Sequence, residues 1–179
     1  MKSTKKTERL AGLLFLFLFA TGITVYQILQ GPVLFADDFL TSTSANSTEI
    51  IVSILLLLLS GIIAIVIAII LFPIFKKHSL TLAFLYVAFC ILSFIAIAID
   101  NSAVLSILEV SSAYANATDN TELLSEMGVL FYKKHWWTHY MSLLISCLPV
   151  FILYYTLYVS KLIPKIISSF GIIAAILMF

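Results

Sequence analysis

His135 and His139 stand four residues apart, so a helix would carry both imidazoles on one face and offer half of a metal site. Zinc takes at least three protein ligands, and Glu126 is the only acid close to them in sequence. The pair therefore reads as two interfacial histidines beside Trp136 and Trp137, and neither a metal nor another cofactor is expected. A membrane di-iron centre needs many histidines, whereas the chain has three. Haem between spans is no better served, because His78 falls at the opposite membrane face from the other two. No glycine-rich phosphate loop and no nucleophile–base pairing occurs, so no catalytic residue is assigned and an enzyme is not expected.

A second set of residues lies inside apolar runs. On a helical wheel Tyr86, Cys90, Ser93 and Asp100 fall within about 80° of one another. Ser142, Ser146, Pro149, Thr156 and Ser160 share a face of the next run, and Ser53, Ser60, Ala64 and Ala68 a face of the preceding one. Small and hydroxylated residues let helices approach and hydrogen-bond across their interface, which is the first reading. The second is an intramembrane polar stripe (Tyr86, Cys90, Ser93, Asp100, Ser142, Ser146 and Thr156) lining a cavity for a small ligand or a proton path. Asp100 sits at the outer end of its run, where water would solvate it.

The elements that position these residues are membrane spans. Ile50 to Phe72 is 23 residues without a charge, long enough for a hydrocarbon core of roughly 30 Å. In lipid only a helix satisfies that much backbone within one segment. The whole chain is 62% hydrophobic and 11% charged, against about 25% charged in soluble domains. Its net charge of +1 offers no basic block for nucleic acid. Cys90 and Cys147 both lie in apolar stretches, where cysteine acts as a small hydrophobe and no disulfide is expected.

An all-α, multi-pass transmembrane bundle in one membrane domain follows, with five spans at about 10–29, 50–72, 80–99, 140–159 and 164–179. Residues 30–49 form a connecting loop punctuated by Gly31-Pro32, and Lys76-Lys77-His78 a short turn. Ala103 to Val110 prolongs the third helix, Ser111 to Asn120 is loop, and Thr121 to Phe131 is a short helix lying on the outer surface. Trp136, Trp137 and Tyr140 mark the start of the fourth span.

Basic residues orient the bundle. With the N-terminus in the cytoplasm, Lys2, Lys5, Lys6, Arg9, Lys76, Lys77, Lys161 and Lys165 lie inside, and only Lys133 and Lys134 outside. Of the nine acids all but Glu8 lie outside. The first span is longer than the apolar part of a secretory signal, and bulky Leu18 stands where a cut after Ala20 wants a small residue. The last run, Ile166 to Phe179, is 14 residues, short of a full crossing, so Phe179 is not expected to be the natural end.

Three stretches carry a resemblance: Arg9-Leu10-Ala11-Gly12-Leu13-Leu14-Phe15; Phe72-Pro73-Ile74-Phe75-Lys76-Lys77-His78 with Ala83 and Tyr86; and Leu157-Tyr158-Val159-Ser160-Lys161-Leu162-Ile163-Pro164-Lys165 with Phe170-Gly171-Ile172-Ile173-Ala174. Together they resemble the bacterial integral-membrane family called domain of unknown function 4386. The resemblance implies a multi-pass inner-membrane protein and brings no established activity. It also implies an arginine and an acid in the third span, where this chain has Cys90 and Ser93, and a further loop and span beyond Phe179. The expected role is a non-enzymatic structural or accessory protein, surrounded by lipid and acting through membrane partners or self-association. The alternative is a carrier or receptor for a small apolar or amphipathic molecule held between the third and fourth spans.

Overall fold

Apolar runs in lipid must satisfy their own backbone groups, and among the described residues every regular element is helical. The computed structural model describes residues 2–178. Phe179, on which the C-terminal expectation turns, lies outside them, as do the side chains of Lys2 and Lys5. The helices are α1 (Lys2–Ile23), which passes through a π-helical turn (Thr24–Leu29) into α2 (Gly31–Leu34), then α3 (Phe39–Ala45), α4 (Ser47–Lys76), α5 (Leu80–Ala115), α6 (Thr121–Ser160) and α7 (Lys165–Leu177). The fold is an all-α helical bundle.

Four stretches are long and apolar enough to cross a membrane: Glu8–Leu34, Ser47–Lys76, Leu80–Ala115 and Thr121–Ser160. The expected fifth span is α7, whose 13 residues extend about 20 Å. Leu16, Phe19 and Ile166 are at least two-thirds exposed, as side chains facing lipid would be and as the surface of a soluble protein seldom is.

Three local expectations are corrected. Residues 30–49 are not a plain loop: α2 and α3 occupy much of it, and Asp38 caps α3 by accepting from the Thr41 amide at 3.4 Å. Ser111 to Ala115 continue α5, with Ser111 fully buried; the chain turns only at 116–120, where Asn120 takes a left-handed φ of 61°. Thr121 to Phe131 is not a separate surface helix but the start of the 40-residue α6. The Lys133–Trp137 segment is polar and aromatic but contains no proline or glycine, and polarity alone does not stop a helix.

The chain forms two compact units: Met1–Leu18 with Gly61–Ala96 and Met141–Phe179, and Phe19–Ser60 with Ile97–Tyr140. In the first, Ala68, Phe75, Ala83, Tyr86, Cys90 and Leu153 build the core, with the Phe75 and Tyr86 rings 5.6 Å apart. Gly171 brings α7 against the Tyr154 ring, where a Cβ would collide. In the second, Val33, Leu34, Ile50, Ile54, Val104 and Ile107 build the core, and Phe39 packs on Tyr132 at 4.9 Å.

Candidate functional site

The second unit holds a polar cluster that three elements assemble. Pro32 has no N–H to give the carbonyl four residues back and its ring crowds that carbonyl, so the turn before it opens. Gln30 N accordingly donates to Val25 O, five residues back, at 2.7 Å. The wider turn brings the Tyr26 carbonyl against Gly31, where any Cβ would collide with it. Tyr26, Gln27 and Gln30 thereby come to line one cavity.

Across from this turn, α5 supplies Asp100 and α6 supplies His135, Thr138 and His139, at positions i, i+3 and i+4 of one face. His135 Nδ1 lies 2.8 Å from Asp100 Oδ1, His139 Nδ1 lies 3.0 Å from Oδ2, and Thr138 Oγ1 donates to Oδ1 at 2.8 Å. With the ring protons on Nδ1, one carboxylate accepts from three side chains. Asp100 is only 5% exposed, so it is not the water-solvated residue expected at the end of a span. Burying a carboxylate is costly unless donors surround it, and these three offset that cost. The Tyr26 ring meets the His139 ring edge-on at 5.4 Å, and the two imidazoles lie 5.5 Å apart.

Beside the cluster opens a cavity of about 260 Å³, with Tyr26, Gln30, Leu34, Tyr132, His135 and His139 among its walls. Gln30 is 3% exposed, and its Nε2 has no hydrogen-bond partner among the described residues. A separate cavity of about 640 Å³ in the first unit is lined by Ala11, Phe15, Leu71, Phe75, Leu153 and other apolar residues, with Glu8 as its one charged side chain.

The residues of the polar stripe go to different tasks. Asp100 joins the cluster. Tyr86 and Cys90 hydrogen-bond one turn apart within the apolar core, and Ser93 meets Ser146 hydroxyl to hydroxyl at 2.7 Å. Thr156 donates to its own helix at Ile152 O, 2.7 Å away, and Ser142 is buried. The acid that stands beside His135 and His139 is Asp100, 35 and 39 residues earlier in the chain, and not Glu126, so three side chains of ligand type come together here. Tyr26 and Gln30 carried no signal beyond the Gly31-Pro32 pair that follows them.

Against known families, residues 10–179 match the one described as Domain of unknown function (DUF4386). The chain belongs to that family. No curated protein and no solved structure matches it. In this DUF4386 chain the third-span positions at which the resemblance implied a charged pair are filled by neutral groups. Cys90 turns to Tyr86 on its own helix and Ser93 reaches Ser146 on α6, so a hydroxyl pair carries the polar contact there.

Proposed function

We propose that this DUF4386 protein is a non-enzymatic integral protein of the bacterial inner membrane that holds one small amphipathic molecule beside Asp100, His135 and His139. The observation that carries the reading is the Gln30 amide: a buried donor without a partner is costly, and this one lies on the wall of a cavity. A ligand with an acceptor oxygen would satisfy it, while Tyr26, Leu34 and Tyr132 receive the apolar part. At about 260 Å³ the cavity suits a molecule smaller than those filling sites of roughly 300–1,000 Å³. Thr138 donates to the carboxylate and lies near its own helix carbonyls, so no imidazole activates it as a nucleophile.

Solvent extraction of protein purified gently from its own membranes tests the reading. About one amphipathic molecule per chain is expected, and a chain that carries only bulk phospholipid would sink it.

Lipid surrounds the protein, and the exposed apolar residues of α7, Ile166, Phe170 and Leu177, present a face to lipid or to neighbouring membrane helices. The basic residues support a cytoplasmic N-terminus. In a background lacking Cys90 and Cys147, single cysteines at the exposed positions Ala45 and Thr118 should react with an impermeant thiol reagent in intact cells. A cysteine at Lys77 should react only after lysis. The reverse pattern would invert the topology.

A further inference from the structure

We infer that Asp100, His135 and His139 bind a divalent first-row transition-metal ion, zinc being the best fit. The inference needs only these three side chains and does not rest on the small-molecule reading above. One ligand atom from each residue lies within 4.8 Å of the others. In a tetrahedral zinc site with bonds of about 2.0–2.2 Å, neighbouring ligand atoms stand roughly 3.3 Å apart. Here the two imidazole nitrogens stand 2.8 and 3.0 Å from the two oxygens of the carboxylate, so these two contacts must lengthen by a few tenths of an ångström, while the widest separation among the three ligand atoms, at most 4.8 Å, closes around the ion.

Charge argues the same way. Among the described residues the ion-pair partners of the buried Asp100 are these two histidines, and no lysine or arginine reaches it. A divalent ion would compensate that carboxylate where water does not. Each histidine would bind through a nitrogen lone pair with its proton on the other ring nitrogen, a tautomer that neutral imidazole adopts freely.

The donor set selects the metal. Two imidazoles and one carboxylate suit zinc and its neighbours, whereas calcium takes six or more oxygens and magnesium keeps an octahedral oxygen shell. Thr138 would act from outside the ligand set, fixing the carboxylate through its 2.8 Å hydrogen bond. The fourth position would face the cavity that His135 and His139 line, leaving room for water.

The test uses the full chain in detergent, stripped with a chelator and titrated with cobalt(II) as an optical probe. Saturable uptake of about one ion per chain is expected, with the visible bands of low-coordinate cobalt and displacement by zinc. His135→Ala and His139→Ala should each weaken uptake at least tenfold, and His78→Ala should leave it unchanged. Because a variant at the cluster can misfold, X-ray absorption on the wild-type zinc complex provides a second readout, with two imidazoles expected in the first shell. Gln30→Leu should keep the metal while losing the small molecule, which separates the two proposals. No saturable uptake, uptake that survives in the folded double histidine variant, or a first shell without two imidazoles would each overturn the inference.

Discussion

Asp100→Ala is expected to lower the unfolding free energy in detergent by about 3 kcal/mol. The carboxylate is the one acceptor shared by His135, Thr138 and His139, and removing it leaves part-buried donors facing each other across a void. Asp100→Asn keeps one acceptor oxygen and should fall between alanine and wild type. Asp119→Ala, in the exposed turn before α6, is the control and should stay within about 0.5 kcal/mol of wild type. Equal effects at Asp100 and Asp119 would mean that the cluster contributes nothing to holding α5 against α6.

Gln30→Leu is expected to move stability and binding in opposite directions. Leucine removes a buried donor that has no partner among the described residues, which should stabilise the protein by about 1 kcal/mol. The same change deprives a ligand of its hydrogen bond, and retention of the co-purifying molecule should fall at least tenfold, or about 1.4 kcal/mol. Thermal unfolding and ligand stoichiometry on the same preparations give both numbers. A loss of stability with unchanged retention would make Gln30 an ordinary structural residue.

The helical class and the apolar spans were legible because charge-free runs such as Ile50 to Phe72 have one solution in lipid. Segment ends were harder. The polar stretch before Tyr140 reads as a boundary in composition, yet no residue between Thr121 and Tyr140 forces the backbone out of a helix, so α6 begins a full nineteen residues earlier than its span. That error hid the site. With α5 ending at Ala115 and α6 beginning at Thr121, Asp100 lies 15 residues before the end of α5 and His135 lies 14 residues after the start of α6. Residues so nearly equidistant from a helical hairpin turn come level with one another. Treating Ser111 to Phe131 as a loop and a surface helix removes that symmetry, which leaves Asp100 at a wet end and the histidines short of a ligand.

The hydroxyl residues were legible in type but not in partner. Helical spacing put Ser93 and Ser146 on interior faces, and their 2.7 Å contact follows the small-residue logic of membrane helix packing. Gln30 was not legible at all. Gly31-Pro32 usually marks a turn, and here the missing N–H of Pro32 opens a helix into a π turn without ending it.

The shared carboxylate is most directly tested by nitrogen-15 NMR of the histidine rings in metal-free protein. The chain has three histidines, and exposed His78 serves as the internal reference. Two of the three rings should show Nδ1 in a strong hydrogen bond, and both should shift in Asp100→Asn while His78 stays in place. Three rings with solvent-like signals, or two that ignore the substitution at Asp100, would contradict the cluster on which the proposed site is built.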